Sequence, residues 1–163
     1  MKNLLILFAL FLGLGSASTQ TQKPTKEETI AFIERTLNNS YNSAGPVSEF
    51  RLREDGFSFK TVTEFWNYKY EYKGVFFDQI KTIEIDRSYF YSNDNVPIDI
   101  TFNSANISLR ITGSNQSDKN VDKSTSAIST FTLAAPEFKA PSIIKAFQRL
   151  KEIYQEENKD PFK

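Results

Sequence analysis

The sequence contains neither cysteine nor histidine among its 163 residues. Without cysteine there are no disulfide bonds, so the burial of apolar side chains must supply the stability of the fold. Conventional zinc sites depend on cysteine and histidine ligands, so none is expected. Nucleophilic catalysis of the Ser-His-Asp or Cys-His kind is excluded as well, because its general base is missing. We therefore expect no cofactor and no metal site.

An excess of charge is also lacking, because 20 basic residues balance 20 acidic ones. Such a chain creates no overall field to attract nucleic acid, and we predict no nucleic-acid partner. Aromatic residues are abundant by contrast: 15 Phe, 7 Tyr and 1 Trp make up 14% of the chain. These rings are the main material for a hydrophobic core.

The first 18 residues predict a secretory signal peptide. A lysine near the start precedes an apolar run at residues 4–14, and small residues follow at 15–18. This run is shorter than the ~20 apolar residues of a membrane-spanning helix. We therefore favour cleavage near Ala17 or Ser18 over an anchor. The pattern predicts an exported protein, periplasmic or secreted, with no lipid-carrying cysteine and no integral membrane segment in the mature chain.

The rest of the chain predicts one domain at residues 25–156, with a flexible leader at 19–24 and a tail at 157–163. A capping box of Thr25 and Glu28 predicts a helix from Lys26 to residue 38 or 39. Near the other end, a proline at the first turn predicts a second helix. Its apolar stripe has helical spacing and comprises Ile143, Phe147, Leu150 and Tyr154.

Between the helices, from residue 47 to 133, apolar and polar residues alternate with the period of two that is typical of strands. The clearest alternation lies at 96–102 and 107–111, which we interpret as a hairpin. An earlier strand is predicted to close at 89–91. The polar stretch 113–126 has almost nothing to bury and predicts a mobile loop. A last strand follows at 128–133, which brings the total to about seven.

The stretch FWNYKYEYKG, residues 65–74, contains a row of three alternating tyrosines. Phe57 and Phe59 have odd numbers, whereas these tyrosines have even ones, so one straight strand cannot place both sets on one face. The phase must slip near residues 65–67. We favour a turn there, which makes an antiparallel hairpin with both aromatic sets facing one interior.

Candidate ligand-binding residues lie in this hairpin. Aromatic rings can stack on sugars or bases, and the candidates are Trp66, Asn67, Tyr68, Tyr70 and Tyr72. The competing interpretation is that the tyrosines form one side of the core, because a half-buried strand requires the same alternation without any ligand. Trp66 is the more open case, since it lies where the phase slips.

Carboxylates offer a second kind of candidate. A glycosidase needs two of them at a defined separation, and a calcium site needs several converging oxygens. The candidates are Glu84, Asp86, Asp94 and Asp99. Asp94 and Asp99 could meet near one strand end. The alternative is that all four are turn formers or solvated strand positions.

The order of elements resembles a pleckstrin-homology-like domain, over residues 47–154. The segment FFDQIKTIEI at 76–85 is similar to a strand-corner-strand step of that superfamily and its GRAM-like relatives. The ending PSIIKAFQRLKEIY is similar to the closing helix of small exported bacterial domains of unknown function. The resemblance implies an α+β fold: an N-terminal helix, a strongly bent antiparallel sheet or partly open barrel of about seven strands, and a closing C-terminal amphipathic helix.

Membrane-binding members of that superfamily grip phosphoinositides with basic residues around the first hairpin. The matching region here offers Arg51, Arg53 and Lys60, but Glu54 and Asp55 lie between them. We therefore do not extend that function to this chain.

On this basis the sequence favours an exported non-catalytic binding or interaction module. Its partner would be a small apolar ligand or an envelope protein. The alternative is a carboxylate-dependent enzyme acting on glycans, or a carbohydrate-binding domain of the cell envelope, because Asp, Glu, Lys and Tyr remain available. A structural envelope protein with no small-molecule site is the third hypothesis.

Overall fold

The structure is a computed structural model that describes residues 23–88, 94–115 and 120–159. The predicted signal peptide, the leader up to residue 22, the strand end predicted at 89–91 and residues 160–163 of the predicted tail lie outside these residues.

The described fold contains two helices and nine strands. Helix α1 spans Lys26–Leu37 and helix α2 spans Ala140–Asn158. Short 3-10 turns occupy Phe77–Gln79 and Glu137–Lys139. In chain order the strands are β1 Tyr41–Asn42, β2 Gly45–Arg53, β3 Gly56–Val62, β4 Trp66–Lys73, β5 Ile80–Ile85, β6 Asn95–Phe102, β7 Ile107–Asn115, β8 Asn120–Ile128 and β9 Thr130–Pro136.

The strands form two antiparallel sheets. A six-stranded sheet with the order β1-β2-β3-β4-β7-β8 curls into a half-barrel, and a second sheet has the order β5-β6-β9. The predicted α+β class, with a strongly bent antiparallel sheet between an N-terminal and a C-terminal helix, is confirmed. The number of strands is nine instead of about seven, because β1 has only two residues and β8 was predicted as a loop.

The hairpin predicted around the tyrosine row is confirmed. Strands β3 and β4 pair so that Phe57 lies opposite Tyr72 and Phe59 lies opposite Tyr70. A turn at residues 63–65 provides the phase slip. Both aromatic sets therefore face the same interior.

The hairpin predicted from 96–102 and 107–111 is wrong in its pairing, although both segments are strands. Strand β6 pairs with β5 and β9, whereas β7 pairs with β4 and β8. Between them the chain passes from one sheet to the other: Phe102 N–H donates to Ser129 O, and Asn103 N–H donates to Gln79 O. Alternation reports that a strand has one buried face, but it does not report which strand lies beside it.

The mobile loop predicted at 113–126 is also wrong, because residues up to 115 belong to β7 and residues from 120 belong to β8. The two strands pair along their length, and Arg110 makes a two-pronged ion pair with Asp122 at 3.0 and 2.7 Å. Most of β8 is exposed on both faces, so its sequence shows no alternation. The last strand accordingly begins at Thr130 instead of residue 128.

Both helices begin as their sequences predict. Thr25 and Glu28 form the reciprocal capping box at the start of α1, and Pro141 lies in the first turn of α2. The stripe of α2 is buried at Ile143, Phe147 and Leu150. Helix α2 continues to Asn158, two residues beyond the predicted end of the domain.

Lys26 fastens α1 to the far end of α2. Its ammonium group lies 2.8 Å from a Glu157 carboxylate oxygen and 4.0 Å from the centre of the Tyr154 ring. The helices therefore pack side by side, and the chain ends of the described domain are held together.

Candidate functional site

The tyrosine row divides into a buried part and an open part. Tyr72 stacks on Phe57 with ring centroids 4.4 Å apart, and Tyr70 stacks on Phe59 at 4.7 Å. Both tyrosines are half-buried and pack against the hydrophobic core. For these two residues the structure matches the core interpretation.

The Tyr72 phenol provides a test of this burial. Burial raises its pKa to about 12, and the neighbouring Tyr70 adds to the rise. The same phenol titrates near 10 in an unfolded chain. Between pH 10 and 12 the unfolded chain therefore loses a proton that the folded protein keeps, so stability falls as the pH rises.

We expect the free energy of unfolding to decrease by about 2 kcal/mol between pH 9 and 12 on account of Tyr72 alone. Tyr72→Phe keeps the ring and removes the phenol, so its decrease over this range should be smaller by that amount. Urea unfolding at the two pH values measures the difference. Identical decreases for the two proteins would contradict the assigned burial.

Tyr68 marks the boundary between the core and the open end of the row. It lies opposite Gly113 on β7, and its ring is nearly parallel to Trp66, with centroids 6.2 Å apart and planes 11° apart. Gly113 has a φ of +152°, and a Cβ there would approach Asn67 O to 2.0 Å and the Tyr68 ring to 2.9 Å. The glycine thus lets β7 approach β4 closely where the aromatic row leaves the core.

The open end is an exposed apolar surface at the β3–β4 turn, which we call the apolar tip: Val62, Phe65 and Trp66. Their exposed fractions are 48%, 49% and 37%. Among the described residues, only two other large apolar side chains are exposed to this degree, Phe76 and Phe138. Three of the five therefore lie within five consecutive positions.

Hydrogen bonds hold the apolar tip in place. Thr63 N–H donates to Trp66 O at 2.8 Å, and the Thr63 hydroxyl accepts from the N–H groups of Phe65 and Trp66 at 3.2 and 3.3 Å. The Trp66 indole N–H donates to Ala44 O at 3.0 Å in the neighbouring β1–β2 turn. Thr63, the backbone N–H groups of Phe65 and Trp66 and the indole N–H are thus used internally, while the apolar side chains and the Glu64 carboxylate face solvent.

Asn67 lies opposite Val62 in the β3–β4 pair, so these two side chains share one face of the sheet at the apolar tip. Trp66 and Tyr68, one position out of phase with Asn67, point to the other face. Val62 and Phe65 were not among the sequence candidates. The sequence signal that could have identified them is that apolar residues flank the predicted turn, where turn-forming residues are usually found.

The carboxylate candidates are only partly brought together. Glu84 and Asp99 are direct cross-strand neighbours on the β5–β6 pair, on the face opposite the buried isoleucines, and Asp99 accepts a hydrogen bond from Thr132. Asp94 precedes the start of β6 and lies about five residues, or roughly 16 Å, along the strand from Asp99, so these two carboxylates do not meet. Within residues 23–88, 94–115 and 120–159, no three acidic side chains cluster closely enough to hold a metal ion.

Two depressions bear on the search for a ligand cavity. The larger, about 710 Å³, is a groove between α1 and α2 that contains Lys23, Phe32 and Arg149. Its Arg149 is already engaged by Pro24 O and Glu152 at 3.1 Å each. The depression nearest the core, beside Phe50 and Phe59, measures about 10 Å³, which is scarcely the space of one water molecule.

Comparison with known proteins gives no match to this chain among family models, curated proteins or solved structures. Within the described residues, no helix combines the length and apolar character needed to span a bilayer. The site must therefore be interpreted from its own geometry.

Proposed function

We propose that this protein is an exported, non-catalytic interaction module whose apolar tip docks on an apolar surface of an envelope protein. The observation that carries the proposal is the concentration of exposed Val62, Phe65 and Trp66 in one hydrogen-bonded turn. Export is supported by the pattern of the first 18 residues.

The energetics of docking favour such a turn. Each exposed aromatic ring gains free energy when a partner removes it from water, at about 25 cal/mol per Å² of apolar surface. Tryptophan is among the residues that most often dominate binding energies. Because the turn and the indole are already fixed by hydrogen bonds, little conformational entropy is lost on binding.

A protein partner agrees with the geometry better than a small apolar ligand does. A small ligand needs a concave pocket that covers most of its surface. The apolar tip is the end of a hairpin, and the depression beside the core is almost filled. The larger groove between α1 and α2 is open at the surface, and its Arg149 is already bound to Pro24 O and Glu152. A flat or grooved partner surface can cover the tip where a pocket of this protein cannot.

The glycan alternatives are less well supported. A sugar-binding site usually adds hydrogen-bond donors to its aromatic platform, but the Trp66 indole N–H is occupied by Ala44 O. For the enzymatic alternative, Glu84 is exposed and shares an open sheet face with Asp99 instead of a cleft.

A relationship to the pleckstrin-homology-like superfamily is likewise proposed. It is supported by the order of a helix, a bent antiparallel sheet and a closing amphipathic helix. It does not determine the choice of partner, which depends on the apolar tip.

Photo-crosslinking tests the proposed docking. A photoreactive phenylalanine is placed at position 65 and, as a matched control, at position 76, because Phe65 and Phe76 are 49% and 51% exposed. In cells of the source organism, position 65 should give a discrete crosslinked protein and position 76 should not. Trp66→Ala should reduce that crosslink about tenfold or more, while the loss of its indole hydrogen bond lowers the free energy of unfolding by about 1 kcal/mol. Equal products from both positions, or none from position 65, would overturn the proposal.

A further inference from the structure

Strand β8 forms one edge of the six-stranded sheet. It pairs with β7 on one side, and no other strand of the described residues pairs with its second side. An edge strand of this kind presents a row of backbone N–H and C=O groups that are free to pair with another extended chain. At nine residues β8 is long for an edge, where natural proteins favour short strands.

The side chains of β8 leave both faces of the strand uncovered. Six consecutive residues, 122–127, are exposed, whereas a strand with one covered face would be buried at alternate positions. Apart from Asp122 and Lys123, these six side chains are small or carry a hydroxyl group. A strand that is polar on both faces does not fix its pairing through burial and is open to pairing with a further strand.

The features that usually block a sheet edge are weak in β8. The strand contains no proline, and its Asp122 is engaged by Arg110 within the sheet. A bulge lies near Ala127, whose φ is +59°, but residues 120–125 pair regularly with β7. Lys123 is the remaining charge of the strand, and it has no ion-pair partner among the described residues. The edge is therefore accessible over most of its length.

The strand that best fits this edge is β8 of a second copy. Two antiparallel copies of one strand, related by a twofold axis, offer each other the same row of free groups, which makes the contact self-complementary. A strand that is already ordered also avoids the entropy cost that a flexible peptide pays on binding.

The twofold axis must pass through a single position of β8. The backbone groups that point away from β7 belong to every second residue. Two residues can therefore lie opposite each other only when their numbers are both odd or both even. A pair that is symmetric and obeys this rule has one residue opposite its own copy.

Charge selects that residue. An axis at Asp122 or at Lys123 would place the charged residue opposite its own copy, and like charges directly opposite are destabilising. An axis at Ser124 places Asp122 opposite Ser126 of the second copy and Lys123 opposite Thr125 of the second copy. In that register no charge faces a like charge, and an axis further along the strand would carry the pair into the bulge.

The strength of this contact follows from its backbone hydrogen bonds. Five residues of each strand overlap in the register centred on Ser124, which provides roughly four to six hydrogen bonds between the copies. Each bond contributes little net free energy in water, and one strand pair covers less area than a standard interface. We therefore expect a reversible dimer with a dissociation constant on the order of 100 µM.

We propose that β8 pairs with β8 of a second copy, antiparallel and centred on Ser124, so that two six-stranded sheets become one continuous sheet. This contact does not rest on the docking of the apolar tip. Trp66 lies opposite Asn115, and the adjacent Ser114 lies opposite Asn120 at the start of β8. The two apolar tips of a dimer therefore lie toward opposite ends of the joined sheet, where a partner with two docking surfaces would be bound with avidity.

A single introduced cysteine tests the register, because the chain has no cysteine of its own. In the mature chain with Ser124→Cys, the two Cα atoms of residue 124 should lie about 4.5–5.5 Å apart in the dimer, within the range of a disulfide bond. Mild oxidation at several hundred micromolar, above the expected dissociation constant of about 100 µM, should give a covalent dimer as the main product. Ser114→Cys, which is also exposed but lies on β7, should remain mainly monomeric.

A change of charge at Thr125 tests the pairing without oxidation. Thr125→Lys places a cation opposite Lys123 of the second copy at two symmetric positions and should weaken the dimer about fivefold. Thr125→Glu places an anion there and should strengthen the dimer about fivefold. Sedimentation equilibrium measures the dissociation constants, and circular dichroism checks that both variants are folded. Trp66→Ala should leave the constant unchanged, which separates this test from that of the apolar tip.

Three results would overturn the proposal. The first is a wild-type chain that stays monomeric up to about 1 mM. The second is a yield of covalent dimer from Ser124→Cys that is no greater than that from Ser114→Cys. The third is a dimer that responds equally to the two changes at Thr125, or one that Trp66→Ala abolishes, since the apolar tip would then form the contact.

Discussion

Replacing Phe57 with alanine should lower the free energy of unfolding by about 3–5 kcal/mol. Phe57 is 2% exposed and lies where the two sheets meet. Its ring centroid lies 4.4 Å from that of Tyr72 on β4 and 4.7 Å from that of Phe131 on β9. Removing it leaves a cavity that neither sheet can close alone, because each is held by its own strand pairing.

Chemical denaturation of the wild type and the variant measures this loss. Phe138→Ala is the control, since its side chain is 80% exposed and its removal should change stability by no more than about 0.5 kcal/mol. A loss below about 1 kcal/mol for Phe57→Ala would show that the aromatic row does not join the two sheets.

The second large effect is expected at Gly113. Gly113→Ala should destabilise the protein by about 2–4 kcal/mol, from backbone strain and overpacking together. The new Cβ would lie 2.0 Å from Asn67 O, a backbone atom that cannot move without separating β4 from β7. The positive φ adds strain that no rearrangement of side chains can relieve.

Ser114→Ala, on the neighbouring exposed position of β7, serves as the control and should be nearly neutral. A Cβ at position 113 would lie 2.9 Å from the Tyr68 ring, which is stacked beside the Trp66 ring. Gly113→Ala should therefore also change the tryptophan emission. Equal stabilities of the two variants would contradict the close approach of β7 to β4.

The helices were predictable because their signals are local. The Thr25–Glu28 capping box and the stripe of Ile143, Phe147 and Leu150 each operate within a few turns. The β3–β4 hairpin was predictable for a related reason. The aromatic residues change from odd to even positions between Phe59 and Tyr68, and only a turn or a bulge between them can keep both sets on one face.

Strand pairing was not predictable in the same way. Strands β6 and β7 each have a clear apolar face, yet they belong to different sheets, and nothing in their own sequences specifies the neighbour. Strand β8 was missed because its residues are largely exposed on both faces. An amphipathic pattern cannot arise where no face is buried.

The candidate site was only partly predictable from the tyrosine row. Tyr70 and Tyr72 belong to the core, whereas Trp66 lies in the exposed turn together with Val62 and Phe65. Their exposure depends on where the curled sheet ends, which is a property of the tertiary fold.

The proposed docking of the apolar tip can be observed directly through Trp66, the only tryptophan in the chain. Labelling with 5-fluorotryptophan gives one ¹⁹F resonance that can be followed in an unlabelled envelope fraction of the source cells. We predict that this resonance shifts or broadens when the fraction is added, that Phe65→Ala abolishes the change, and that Phe76→Ala preserves it. A resonance that keeps its position and width in the fraction, or one that responds equally in both variants, would contradict the proposed function.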